Sequence, residues 1–318
     1  MPSPAAILCV PAKWVQLYPS VWLKSECMIL VTGASGYVGS KTLAALSRQG
    51  FPAAGMVRTT GKRVAGLSAE TPLRIADYDD PRSLLRAFEG VSTLLLVSSD
   101  GDGRDLLGHH ANAIEAAASR KKSSIVFTSI IDIDADSPFY FTPVYRDAER
   151  RLRESGLTWT ILRCGLYSDL VLDTWIKPAL SSGVLSLPTD TGAVAPISRQ
   201  DVALAAAAVV ASPMQHAGKT YELTGPRKLS FHEMTEAAGS AFGHRLEFAP
   251  CSPADYLQRA WAEMQDPWPH AFSTLCRSIE EGRYQRITNA CEHLTGHPPT
   301  DFRKFVEDTA ASENAGSN

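Results

Sequence analysis

MILVTGASGYVGS, residues 28–40, decides how this chain is read. Four apolar residues run into Thr32, glycines follow at 33, 36 and 39, and the pattern turns helical from Tyr37. An apolar run, a glycine turn and a helix start are the opening of a βαβ unit. Gly33 suits a tight turn off the strand, and Gly36 suits a close backbone approach to a pyrophosphate at the positive end of the helix. Gly39 suits close packing of helix on strand. The spacing predicts a bound dinucleotide, with Gly33, Gly36 and Gly39 shaping the turn at its phosphates.

Strand-like and helix-like stretches then alternate. PAAGMVR (52–58), LRIADY (73–78), TLLLVSS (93–99), SSIVFTSI (123–130) and TWTILRC (158–164) read as strands. Helices are expected from Tyr37 to Gly50, at 61–69, from Pro81 to Phe88, at 104–121 and at 142–156. Continuous apolar runs suit strands covered on both faces, so the expected fold is an α/β, Rossmann-type doubly wound parallel sheet. Strand ends then share one edge, bringing together Thr32-Gly33, Arg58, Asp77-Tyr78, Ser98-Ser99, Thr128-Ser129 and Arg163-Cys164. The Rossmann core is placed at 28–165. Residues 166–309 form a mixed region that completes the sheet and builds a small α+β substrate lobe. The tail at 310–318 is expected to be disordered. Residues 1–27 are an extension outside the fold, or a segment that docks on a partner through Trp14 and Trp22.

The 318 residues are 44% hydrophobic and 20% charged, with a formal net charge of −3, which gives no basic footprint for nucleic acid. No apolar run approaches the roughly 18 residues that a membrane helix needs. The six cysteines are scattered without metal-binding spacing, so neither a disulfide framework nor a metal site is expected, and a reducing, cytoplasmic compartment is. His109-His110 has no nearby ligand partner, and Glu236 stands where H-E-x-x-H needs its second histidine.

The second strand ends in Arg58, with Lys62 and Arg63 behind it, and no carboxylate lies between Gly50 and Gly66. A free ribose 2′-hydroxyl prefers Asp or Glu there, whereas a 2′-phosphate pairs with arginine, so NADP (NADPH) is the expected cofactor. The other reading of Arg58 is a solvated strand-end charge. Asp77 is placed at the adenine amine with Tyr78 alongside, and Ser98 and Ser99 near the pyrophosphate and nicotinamide ribose. All four also suit simple turns.

The sequence resembles the NmrA-like branch of atypical short-chain dehydrogenases. The resemblance rests on TGASGYVGS, GMVR, ADYDDPRSLLRAFEGVSTLLLVSS, AERRLRESGLTWTILR and CGLYSDL, then APISRQDVALAAAAVV, GKTYELTGP and TGHPPTDFRKFV. It spans about 28 to 306 and is most similar to type 2 quinone oxidoreductases and triphenylmethane reductases. The resemblance implies a Rossmann fold with a C-terminal substrate lobe, NADPH as cofactor, and cofactor contacts from Gly33, Ala34, Ser35, Gly36, Tyr37, Val38 and Arg58. It implies a nicotinamide-ribose contact four residues before Glu149, where this chain has Tyr145, and a nicotinamide contact from the loop Gly165, Leu166, Tyr167 and Ser168.

Short-chain dehydrogenases that reduce ordinary carbonyls use Tyr-x-x-x-Lys, the lysine helping the tyrosine to give its proton. Here Tyr145 leads to Glu149, and no lysine occurs between Lys122 and Lys177. Two readings follow. The protein is a reductase of a small aromatic or conjugated acceptor that needs little acid help, with Tyr145 and Tyr167 at the reacting centre. Alternatively, it is a noncatalytic NADP(H) sensor that binds a regulatory protein. A homodimer is left open. Thr128-Ser129 could bond the acceptor oxygen, with Thr128 also placed at the cofactor, or could simply form a strand-end turn. Tyr256, Trp261, Met264, Trp268 and Phe272 form either an aromatic cleft or the core of the lobe.

Overall fold

The computed structural model describes residues 28–59, 67, 70–120 and 123–316. Residues 1–27 with Trp14 and Trp22, the pair Lys62 and Arg63, and nearly all of the helix expected at 61–69 lie outside the described residues.

Apart from the connection between β2 and β3, the first half alternates strand and helix as expected. β1 (Met28–Val31), α1 (Tyr37–Arg48), β2 (Ala53–Val57) and β3 (Leu73–Ile75) come first. They lead into α2 (Pro81–Ala87), β4 (Val91–Leu96), α3 (Gly103–Ala118), β5 (Ser124–Ile130), α4 (Thr142–Glu154) and β6 (Thr158–Cys164). α5 (Ser168–Leu170), a π-helical segment (Val171–Ile176) and α6 (Lys177–Ala179) form one helical run. Then come β7 (Val184–Leu185), β8 (Ala193–Val194), α7 (Arg199–Ala211) and β9 (Lys219–Leu223). β10 (Leu229–Ser230), α8 (Phe231–Phe242), β11 (Glu247–Phe248) and α9 (Pro253–Glu263) follow. α10 (Trp268–Glu280), α11 (Ala290–Thr295) and α12 (Phe302–Gly316) close the chain.

Seven strands form one sheet in the order β3-β2-β1-β4-β5-β6-β9, with every pairing parallel. This is the doubly wound fold. β1 shows why it holds together. Ile29 and Val31 pack on the side of α1 and α7, while Leu30 packs on the opposite side with Leu84, Ile114 and Leu152. Alternate residues of one strand thus enter two separate cores. Strand order reverses between β1 and β4, the switch point beyond whose carboxyl ends such folds bind ligands.

Helix starts follow local chemistry. The Asp80 side chain accepts from Arg82 N–H with Pro81 in the first turn, and Asp102 accepts from the N–H groups of Arg104 and Asp105. Ser230 and Glu233 form a capping box on α8, whose end is closed by Gly243 at φ 69°.

The C-terminal region has its own core, with Trp175 edge-on to both Phe231 and Phe272 and with Ile279, Phe302 and Val306 around them. Tyr256 and Phe272 are buried there and Met264 and Trp268 pack against it, so four of the five expected aromatic-cleft residues belong to the core. Only Trp261 is exposed, at 50%. The tail is a correction. α12 continues through 310–316 rather than dissolving at Ala310. Ala310 is buried, Lys177 Nζ reaches Glu313 Oε1 at 2.6 Å, and AASENA is a good helix-forming run. Its polar composition reads as disorder only while its docking partner is unknown.

Glu280, at the end of α10, ties down the loop at 189–192. Its carboxylate accepts from Thr189 Oγ1 at 2.6 Å, Thr191 Oγ1 at 2.7 Å, Asp190 N–H at 2.8 Å and Gly192 N–H at 3.0 Å. Partial burial works to raise its pKa, but these bonds outweigh burial and hold it down to about 2. A depressed folded-state pKa gives stability that is fully present above the unfolded value. That stability is lost as pH falls from about 4.5 towards about 2. Glu280→Gln should therefore flatten the acid limb of the melting temperature in that window. An unchanged acid limb in Glu280→Gln would place the acid sensitivity elsewhere.

Candidate functional site

The carboxyl edge of β1 begins with a turn that a side chain would break. Gly33 takes φ +59°, a left-handed conformation that favours glycine. A Cβ on Gly39 would lie 2.3 Å from the Gly33 carbonyl oxygen and 3.0 Å from that of Thr32. Bare glycine therefore allows α1 to seat directly on the turn. Thr32 locks the turn to the next strand, donating from Oγ1 to Leu95 O at 3.2 Å and accepting from Val97 N–H at 2.9 Å.

α1 begins without a side-chain cap and without an acidic residue in its first turn. α2, α3, α7, α8 and α9 all begin with a capping Asp or Ser. The amides of Tyr37, Val38 and Gly39 have no partner within the helix, so the end of α1 is left free for an anion. Ala34 and Ser35 complete the turn, Ala34 by donating its N–H to Met56 O at 3.3 Å. Arg58 follows β2 directly, is exposed, and makes no ion pair among the described residues. Lys62 lies outside them.

Asp77 caps its own turn, its carboxylate accepting from Asp79 N–H at 3.1 Å. Tyr78 is buried at 7% exposure, donates to Val97 O at 3.2 Å and stacks on His109 at 5.3 Å between ring centres. Burial pushes its phenol well above the usual range.

The two serines after β4 meet the two histidines of α3. Ser98 Oγ lies 3.0 Å from His110 Nε2, and Ser99 Oγ lies 2.7 Å from His109 Nδ1. His109 Nε2 also lies 3.3 Å from Asp79. From the other side Tyr145, in the first turns of α4, donates its hydroxyl to Ser98 Oγ at 2.9 Å. Thr128 stands behind this group, accepting the Ser98 N–H at 3.0 Å. In the sequence His109-His110 stands out only as a metal-binding possibility, and its pairing with Ser98 and Ser99 appears only in the fold. The two serine–histidine doublets at strand and helix positions facing the same edge were its only signal.

Thr128 and Ser129 lie at the end of β5. Both are buried, and Ser129 Oγ donates to Glu149 Oε1 at 2.8 Å. Glu149, where a lysine would stand, is a buried hub that also accepts from Arg163 Nε at 2.9 Å and Nη2 at 2.8 Å, and from Arg153 at 2.9 Å. A groove of about 320 Å³ beside this hub is lined by Arg146, Arg150 and Glu154, and its charged walls suit no flat apolar ring.

Gly165 is sealed into the sheet, its N–H donating to Leu223 O at 2.8 Å. Tyr167 is half-buried under the Arg199 guanidinium, 5.1 Å from its ring centre. Burial, with Cys164 beside it, holds its phenol well above the usual range, so it is neutral. Ser168 is fully buried, and its Oγ has no partner among the described residues.

The profile of the NAD(P)H-binding family matches residues 33–213, more than half of the chain. The chain belongs to this family. It is 33% identical over 286 residues to quinone oxidoreductase 2 of Escherichia coli, covering 88% of this chain and 97% of that protein. The NADPH complex of that enzyme superposes with a TM-score of 0.82 at 29% identity, over 89% and 99% of the two chains. The NADP(H) complex of triphenylmethane reductase from Citrobacter sp. gives 0.81 at 26% identity over the same shares. The regulator NmrA, solved with NAD, shares the fold at a TM-score of 0.72 and 14% identity, over 92% and 98%. These relatives place the chain among NAD(P)H-dependent oxidoreductases. The residues present suit the cofactor, because the bare turn and the uncapped helix leave room and charge for a pyrophosphate.

Gly39→Ala should force the turn off α1, costing about 2 kcal/mol or more. It should also abolish the fluorescence change on adding NADPH. An alanine variant that melts and binds like the parent would show that the contact is not needed.

Proposed function

We propose that the protein is an NADPH-dependent reductase that passes hydride to a quinone, a dye or another conjugated, electron-poor acceptor. The observation that carries this reading is the setting of Tyr145. It stands at the strand-end edge with its hydroxyl on Ser98, and the position one helix turn on is a buried carboxylate rather than a lysine. An ordinary carbonyl needs strong acid help as hydride arrives, and no lysine stands one helix turn beyond Tyr145 to supply it. A quinone becomes a stabilised anion, and a cationic dye carbon becomes neutral. Positioning then supplies most of the rate. Related enzymes named for quinone and triphenylmethane reduction support the same acceptor class.

When bound, the cofactor supplies a hydride from its nicotinamide C4. The chain's own residues then have distinct tasks. The amides of 37–39 hold the pyrophosphate, and Arg58 holds the 2′-phosphate. Tyr145 and the loop from Gly165 to Ser168 border the nicotinamide, and Tyr167 walls the acceptor.

Purified protein with NADPH and a panel of simple quinones and triarylmethane dyes should consume NADPH, read by its absorbance. Tight NADPH binding with no turnover on any acceptor would favour an NADP(H) sensor instead. Arg58→Ala should weaken NADPH binding about 10- to 100-fold, the worth of one charge-assisted contact, and leave NADH nearly unchanged. An unchanged NADPH/NADH ratio would remove Arg58 from the phosphate site.

A further inference from the structure

We propose that His110 and Ser98 take the place of the missing lysine. His110 donates from Nε2 to Ser98 Oγ, and Ser98 in turn steadies Tyr145 as its hydroxyl gives a proton to the reduced acceptor. This rests on the reductase reading and names a positioning residue that the reading does not contain.

His110 sits in the middle of α3, 2% exposed, edge-on to Phe127 at 5.1 Å and beside Tyr145 at 5.6 Å between ring centres. Nε2 meets Ser98 Oγ, while Nδ1 is buried with no hydrogen-bonding partner among the described residues. A neutral imidazole has one N–H. On Nδ1 that proton would be a buried, unpaired donor. On Nε2 it is used, and Nδ1 keeps only an unshared lone pair. Orphaned donors are the rarer and costlier of the two, so the proton belongs on Nε2. Burial, then the neighbouring His109, hold the pKa of His110 down to about 4 against the pull of Asp147. The ring is therefore a fixed neutral donor across ordinary pH, not a proton source.

Ser98 Oγ thus accepts from His110 and, at rest, from Tyr145. Its own proton has only the Ser99 carbonyl, 3.5 Å away, which is a poor bond. When Tyr145 loses its proton, the Ser98 hydroxyl can turn to the phenolate at 2.9 Å, and His110 continues to donate behind it. The main chain of Ser98 does not move, because Thr128 holds its N–H. Among the side chains of Ser98, His110 and Tyr145, every polar atom except Nδ1 keeps a partner in both states.

The balance closes. The acceptor receives two electrons and a hydrogen from C4 of the bound reduced nicotinamide, which becomes oxidised. The anion so formed takes the Tyr145 proton. Tyr145 is left as a phenolate, and water returns its proton once the product has gone. A neutral donor pair supports a phenolate less than an ammonium would. Burial still holds the Tyr145 phenol up to about 12, with Ser98 working to lower it and Cys164 and Asp100 to raise it. Buried Tyr284 also faces this phenol.

The test has two arms. In protein carrying 15N-histidine and no cofactor, long-range proton–nitrogen correlation should show His110 protonated on Nε2 and bare on Nδ1. The pattern should not change from pH 8 to 5.5. His110→Gln assigns the signal. A proton on Nδ1, or a charged ring in that range, overturns the proposal. The second arm compares a quinone, which needs hydride and a proton, with a cationic triarylmethane dye, which needs hydride alone. His110→Phe and Ser98→Ala should lower kcat for the quinone about 10- to 100-fold relative to the dye, the loss expected for one hydrogen bond to a charged group. His110→Gln keeps a donor amide and should recover part of the loss. Equal losses on both acceptors would mean a merely structural role and overturn the proposal. Wild-type protein inert to both acceptors overturns the reductase reading, and with it the catalytic role of Tyr145, whatever the tautomer.

Discussion

The absence of a side chain at Gly39 sets the geometry of the whole edge. With 2.3 Å between a notional Cβ and the Gly33 oxygen, any larger residue would push α1 off β1. Seated there, α1 points three unpaired amides along the carboxyl edge of the sheet. The same seat lets α1 lie against the alanine-rich α7, where Thr42 Oγ1 donates to Val38 O at 2.8 Å and reaches Ala203 O at 3.3 Å. Small residues at two successive interfaces bring strand and helices close enough for backbone groups, rather than side chains, to face the dinucleotide.

A second layer of the site is built from hydroxyls. Thr32 ties β1 to β4, Thr128 ties β5 to Ser98, and Ser98 gathers Tyr145 and His110 from two different helices. Glu149 does the corresponding work below, drawing Ser129, Arg153 and Arg163 into one buried cluster. The carboxylate that replaces the usual lysine is thus a structural anchor. Any support for Tyr145 has to come from its other side, and α3 supplies it.

Much of this was legible in the sequence, for identifiable reasons. The glycine spacing and the apolar runs MILV and TLLLV report backbone geometry directly, and the parallel sheet followed from them. The turn at Asp80-Pro81 and the close of α4 at Gly156 are equally local signals. What escaped was set by contacts between distant segments. The partners of His110 lie 12 and 35 residues away in sequence, and Ser129 is claimed by a carboxylate 20 residues on. The helix through 310–316 exists because Ala310 and Glu313 find partners elsewhere in the fold. Composition alone cannot report such pairings. The aromatic set of the C-terminal region carried two readings because a buried ring and a ligand-facing ring look alike until the core is assembled.

The fate of the nicotinamide hydrogen decides whether hydride passes directly to the acceptor at this site. A single turnover with NADPH deuterated at C4 and a cationic triarylmethane dye, read by mass spectrometry of the colourless product, follows it. Deuterium on the central carbon of the dye, from one face of the nicotinamide only, is the predicted result. A dye that stays coloured while the protein holds NADPH, or a product without deuterium, would contradict direct hydride transfer at this site.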